Sequence, residues 1–324
     1  MSTVDFQSRF KTVRQSVPSS TPPFQLACNT YTRIAPSQTN ESTPPMIFTH
    51  ANGFHKEIWE PVIARMSPRW TSGPMYAFDC RNQGDSAVLN KDVLEQTFDW
   101  YMYAYDILKI VDTFGLKKTI GVGHRVASVP VPCTFSAIVA VDPTNFPREI
   151  YMNLPLEDHP MGQLTLKRRD SWKSKVEAKA NLLQKKFFKV WHPEALDSYV
   201  EYGMVDVVNA DGSTGVTLKC PKFQEAITFA HVGTGLHDSF EGMAKLDIPV
   251  HLLVGEISDI KQVNAHSLMV QMKFDLLKNG KLDVVKGAGH LLTLEKPQES
   301  ADLISAFLDR AWTPEAEEPP KARL

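Results

Sequence analysis

The chain has no apolar run approaching the roughly 18 residues that span a bilayer, and its N-terminus lacks the continuous apolar core of a secretory signal. No membrane span is expected. Cysteine is scarce and scattered: Cys28, Cys80, Cys133 and Cys220 form no C-x-x-C pair. That argues against a zinc site or a disulfide framework and for a reducing compartment. An excess of one charge is also missing. With 35 Lys and Arg against 37 Asp and Glu, the formal net charge is -2, so no overall field draws the chain to nucleic acid or an anionic membrane. There is no G-x-G-x-x-G or Walker loop, and His290 has no second ligand at metal spacing; neither cofactor nor metal is expected. What is present is a chain of 324 residues, 43% apolar and 10% aromatic, long enough to bury a large core.

Apolar runs too short for helices recur at Met46–Thr49, Met75–Phe78, Thr119–Val122, Phe135–Val141, Val250–Val254 and Leu282–Val285. They predict strands covered on both faces. Between them lie helical spacings, Ile58, Trp59, Val62 and Ile63 in one stretch and Tyr101, Tyr105, Leu108 and Val111 in another. Strand alternating with helix predicts an α/β fold with a mostly parallel sheet flanked by helices, its ligand site beyond the carboxyl ends of the strands. The expected organisation is a flexible lead-in over residues 1–23, a core over 24–143 and 245–312, a helical cap inserted at 144–244, and a flexible tail at 313–324.

The strand ends carry the polar motifs. His50-Ala51-Asn52-Gly53-Phe54 follows one strand, and its glycine allows a sharp turn whose amides can hold a developing oxyanion. Asp79-Cys80-Arg81-Asn82-Gln83-Gly84-Asp85-Ser86 follows the next and reads as a structural brace. Gly287-Ala288-Gly289-His290 places a histidine on a small-residue loop, suited to proton shuttling. Glu256 and Asp259, just past another strand, are carboxylates that could orient it.

This order of motifs resembles the α/β-hydrolase superfamily with a cap, over about residues 24 to 312. His50 to Glu57, Arg168-Arg169-Asp170-x-Trp172 and Tyr199-x-x-Tyr202-Gly203 resemble a fungal group of peroxisomal lipases and hydrolases of host-selective toxin biosynthesis. The resemblance implies ester or thioester hydrolysis of apolar acyl or polyketide-like substrates. It implies His290 as base, Asp259 or alternatively Glu256 as its acid, and Phe54, with Gly53, at the oxyanion; Asp142, in Val141-Asp142-Pro143, ranks behind as acid.

One element of the family pattern is missing. The G-x-S-x-G elbow should follow Thr119–Val122, where the chain reads Gly123-His124-Arg125-Val126-Ala127. Arg125 occupies the serine position, stays protonated, and has no lone pair to attack a carbonyl. Only twelve residues separate Val122 from Phe135, Pro130 and Pro132 among them, so the helix that normally follows the elbow is expected to be absent or much shortened. Ser128 is the nearest hydroxyl but has no glycine beside it; Cys133 is a weaker substitute. Two readings stand beside impaired hydrolysis: a non-catalytic protein that binds a ligand or partner, and an acid–base catalyst that needs no nucleophile. Ala322-Arg323-Leu324 matches the small-basic-leucine address read by the peroxisomal import receptor, so a peroxisomal location is expected, with the cytoplasm as the alternative.

Overall fold

The structure, a computed structural model, describes residues 5–35, 43–124, 134–149, 154–231, 233–258 and 266–312. Its strands are β1 (Phe10–Pro18), β2 (Gln25–Arg33), β3 (Met46–Thr49), β4 (Met75–Phe78), β5 (Thr119–His124), β6 (Phe135–Val141), β7 (Ser171–Trp172), β8 (Met204–Val208), β9 (Thr214–Leu218), β10 (Val250–Gly255) and β11 (Gly280–Val285). Eight of them form one sheet in the order β1-β2-β4-β3-β5-β6-β10-β11. Pairing is antiparallel for β1 with β2 and β2 with β4, and parallel from β4 onward. The short apolar runs are where the sequence places strands, and β3 and β4 are buried at every residue because helices cover both faces.

On one face Phe48 and Met46 pack with Trp59, Val62 and Ile63 of the segment Lys56–Ile63 and with Ile304, Phe307 and Leu308 of the helix Pro297–Ala311. On the other, Ile47 and Phe78 meet Tyr103, Ile110 and Val111 of the helix Trp100–Thr113. Because the strands from β3 to β11 run parallel, the loops after Thr49, Phe78, His124, Val141, Gly255 and Val285 emerge at one edge of the sheet. Gly255 keeps two of those loops close. A Cβ there would lie 2.7 Å from the Ala288 carbonyl oxygen and closer still to that of Gly289.

Two expectations about organisation are corrected. The lead-in is not loose: from Asp5 on it forms the helix Phe6–Arg9 and β1, which pairs with β2 along nine residues. Phe6 and Phe10 are buried in the core on one face of the sheet and Val17 in the core on the other, at the two ends of the strand, while the residues between them are largely polar and exposed. The cap, in turn, is not purely helical, because β7, β9 and β8 form a small antiparallel sheet within it. It also ends before residue 244. The helix Gly233–Gly242 packs on the core helix Trp100–Thr113, where a Cβ on Gly235 would stand 3.0 Å from that of Trp100.

Candidate active site

His290 leaves β11 on the loop Gly287–Gly289, which is tied down on both sides. The Gly287 amide donates to Glu256 Oε2 (2.7 Å), the Gly289 amide to Glu295 Oε2 (2.8 Å), and the Ile257 amide to the Ala288 carbonyl (2.9 Å). His290 Nδ1 lies 2.7 Å from Asp142 Oδ2, their side chains only 15% and 4% exposed. Asp142 is the first residue past β6. Its amide donates to Leu253 O (2.8 Å) and its φ is +38°, a conformation a non-glycine residue adopts only when its surroundings hold it there. Ser258 Oγ donates to the same carboxylate oxygen at 2.6 Å.

An acceptor carboxylate at Nδ1 selects the imidazole tautomer with its proton there and leaves Nε2 as the basic nitrogen, the arrangement of a general base. Asp142, placed behind Asp259 and Glu256 from sequence, is the carboxylate that the described residues set on His290 Nδ1. Asp142 partners His290, whereas Glu256 is exposed and braces the histidine loop through Gly287. Asp259, Arg125, Ser128 and Cys133 lie outside the described residues. The last described residue before Arg125, His124, ends β5 with Nε2 3.0 Å from the His290 carbonyl and its ring 5.1 Å from the His290 ring.

Behind the pair, Lys273 is buried with its ammonium on the Pro143 carbonyl and over the Phe146 ring. Burial lowers its pKa to about 8, against the pull of Asp142. Neither Lys273 nor Ser258 carried a signal in the sequence. Both are brought to Asp142 only by the packing around β6 and β10.

The loop after β3 holds a second cluster. His50 is buried, accepts from the Cys80 amide at Nε2 (3.2 Å) and faces the Ala51 carbonyl through Nδ1 (2.8 Å); burial lowers its pKa and keeps it neutral. Gly53 has φ +85°, and a Cβ there would stand 2.7 Å from the Glu225 carboxyl carbon. Its amide donates to Gln83 Oε1 (2.8 Å), and the Phe54 amide donates to the Ala51 carbonyl (3.2 Å). Both amides expected to hold an oxyanion are thus committed to protein acceptors. The cap reaches this loop through the helix Lys222–Ala230: Asn52 donates to the Glu225 carbonyl (3.0 Å), Asn82 to Thr228 Oγ1 (3.0 Å), and Arg168 pairs with the Glu225 carboxylate.

Below the loop, Lys56 is buried among Asp79 (3.0 Å), Glu57 (3.0 Å) and Asp85 (2.6 Å). Burial works against its charge, but the three carboxylates outweigh it and raise its pKa. Glu57 also takes hydrogen bonds from Asn29 (2.9 Å) and His55 (3.0 Å), and its pKa falls despite burial. Among the described residues the Glu60 carboxyl group takes a hydrogen bond from the Tyr31 hydroxyl alone (3.2 Å); burial, then the charge of Glu57, raise its pKa to about 8. The three described cysteines are buried thiols, and burial lifts Cys28 and Cys80 to about 12, far from a reactive thiolate. Among the described residues no cluster of three or more His, Cys, Asp or Glu is placed to hold a metal. A cavity of about 670 Å³ lies between the helices Trp100–Thr113 and Lys222–Ala230, lined by Phe98, Trp100, Leu156, Phe223 and Ile227, and neither His290 nor Asp142 borders it.

Residues 46–303, which span β3 to β11 and include Asp142 and His290, match a family model, "Alpha/beta hydrolase family". The chain belongs to the alpha/beta hydrolase family. Within it, the chain is 26% identical over 223 residues to the abhydrolase domain-containing protein ACTT2-1 of Alternaria alternata, covering 59% of this chain and 83% of that one. It is 22% identical over 314 residues to the peroxisomal membrane protein LPX1 of Saccharomyces cerevisiae, covering 87% and 80%. The crystal structure of that yeast peroxisomal alpha-beta-hydrolase superposes with a TM-score of 0.78 over 97% of this chain and 93% of its own. The thioesterase domain from the curacin biosynthetic pathway shares the fold at 15% identity, with a TM-score of 0.65 over 91% of this chain and 99% of its own.

Glu60 generates a test of the buried charge cluster. It ionises near 4.5 ordinarily and at about 8 in the fold, so folding takes up a proton between those values and stability falls as pH rises through that window. Chemical denaturation of the natural chain and Glu60→Gln at pH 5 and pH 8 should show the natural chain losing about 1–3 kcal/mol more than the variant. Parallel losses would contradict the assignment.

Proposed function

We propose that this hydrolase-family chain is built for esters or thioesters of apolar acyl or polyketide-like acids of fungal secondary metabolism, and that its hydrolytic step is impaired at the nucleophile. The observation that carries the family chemistry is the His290–Asp142 hydrogen bond of 2.7 Å at the carboxyl edge of the sheet. A buried carboxylate spent on orienting one imidazole is the device of general-base catalysis. Names among the relatives and structural neighbours, a peroxisomal hydrolase and a biosynthetic thioesterase, fit the substrate class.

Three features support the impairment. Arg125 stands where the family places serine. Ten residues join β5 to β6; as an α-helix they would advance about 15 Å, against roughly 20 Å for a six-residue strand, which leaves no length for an elbow and a full crossover helix. An oxyanion would also have to compete with the Ala51 carbonyl for the Phe54 amide, a bond already at the long end at 3.2 Å.

Turnover of short-chain nitrophenyl esters and acyl thioesters should be near background for the natural chain and for Arg125→Ser. It should appear only in a chain with the whole elbow and helix rebuilt, and disappear again with His290→Ala. Loss of one oxyanion donor alone costs roughly 100-fold to 1,000-fold in such enzymes, so serine without its helix gains little. Robust turnover by the natural chain that needs His290 and survives Ser128→Ala would overturn the reading.

For location we propose the peroxisome. The support is Ala322-Arg323-Leu324 together with a yeast relative whose name places it there. A reporter carrying the last dozen residues should enter peroxisomes and should remain cytosolic without Leu324; a cytosolic intact reporter refutes the proposal.

A further inference from the structure

One stretch of the cap departs from the near-neutral balance of the chain. Residues 167–192 contain nine Lys and Arg against only Asp170 and Glu177, a net +7 in a protein whose total is -2. Part of this charge is neutralised, since Arg168 pairs with Glu225, Arg169 with Glu177, Lys175 with Glu201 and Lys179 with Asp197. Lys185, Lys186 and Lys189 are exposed and have no carboxylate partner among the described residues. Interleaved with them, Leu183, Phe187 and Val190 are 42%, 52% and 58% exposed.

Single exposed apolar residues are ordinary, but three within eight positions, alternating with three unpaired cations, form a patch. Phe187 is also the outer end of an aromatic stack. Its ring meets Phe188 (4.9 Å) and Trp191 (5.6 Å), Trp191 meets Tyr199 (5.5 Å), and both of these reach Phe54 (5.7 and 5.8 Å).

We propose that the 183–190 edge of the cap docks on an anionic lipid surface, with Leu183, Phe187 and Val190 at headgroup level and Lys185, Lys186 and Lys189 on lipid phosphates and carboxylates. The side-chain chemistry favours lipid over an acidic protein. Protein interfaces are depleted in lysine and rich in tyrosine, tryptophan and arginine, whereas membrane-surface segments combine Phe and Leu with Lys whose flexible stems lift the charge into the headgroups. The near-neutral whole molecule means that this attraction is local and orients the cap, and with it the Phe54 loop, toward the surface. The proposal stands apart from the hydrolase reading and is tested by binding alone.

The full chain should co-sediment at low salt with vesicles of phosphatidylcholine and phosphatidylserine mixed two to one, and not with phosphatidylcholine alone. Replacing Lys185, Lys186 and Lys189 together by Gln should weaken binding on the order of 100-fold, about fivefold per lysine near an anionic surface. Val190→Ser should weaken it while leaving the melting temperature of the chain unchanged, and Phe187→Ser should weaken it too, with a lower melting temperature because its ring packs on Phe188 and Trp191. Binding that ignores the lysine replacements overturns the proposal. So does equal binding to soluble polyglutamate that ignores Phe187→Ser and Val190→Ser, which would identify an acidic protein as the partner.

Discussion

A parallel sheet delivers the carboxyl end of every strand to the same edge, and the contact between His290 and Asp142 exists because β6, β10 and β11 are parallel neighbours. Asp142 is held at positive φ by its amide on Leu253, and His290 is held by a loop that runs against Gly255 with no space for a side chain between. Shifting either strand by one residue would turn these side chains to opposite faces. The register of β6 on β10 therefore helps set the contact between Asp142 and His290.

The second constraint is charge buried beneath the neighbouring loop. Lys56 surrounded by Asp79, Glu57 and Asp85 is costly to desolvate and would be more costly to break, because removing any partner strands another inside the fold. Such a cluster fixes geometry more than it adds stability. It locks the turn after β3 to the turn after β4, and Gln83, Asn52 and Asn82 extend the lock to the cap helix Lys222–Ala230. Glu60, left with a single hydroxyl, carries the cost of this crowding as a raised pKa.

Much of the fold was legible in the sequence because short apolar runs bounded by Gly, Asp and Pro have few alternatives to buried strands. β1 was not, since it is an edge strand buried only near its two ends, at Phe10 and Val17, and its Pro18-Ser19-Ser20 exit reads as loop chemistry. Nor was the small sheet of the cap, whose strands are two to five residues long. At the site, the small-residue loop singled out His290, which the structure sets against Asp142. Asp142 was placed low because carboxylates past β6 and β10 look alike in sequence, and only the folded chain brings the one past β6 to the histidine. The oxyanion amides were suggested by a Gly-containing turn, but the Gln83 side chain takes one and the Ala51 carbonyl the other, and sequence spacing does not report where an amide points.

The protein thus brings together a buried carboxylate, an oriented imidazole and a helix seated on the strand-end loops, and the proposed impairment rests on Arg125 in the sequence after β5. The most direct measurement is intact mass after exposure to a fluorophosphonate, which phosphonylates a serine that an adjacent histidine has activated and releases fluoride. The natural chain should gain no adduct under conditions that label a chain with its elbow and helix rebuilt. An adduct on Ser128 that forms quickly and is lost with His290→Ala would contradict the account, showing that the fold has supplied a nucleophile from the segment where the family pattern is broken.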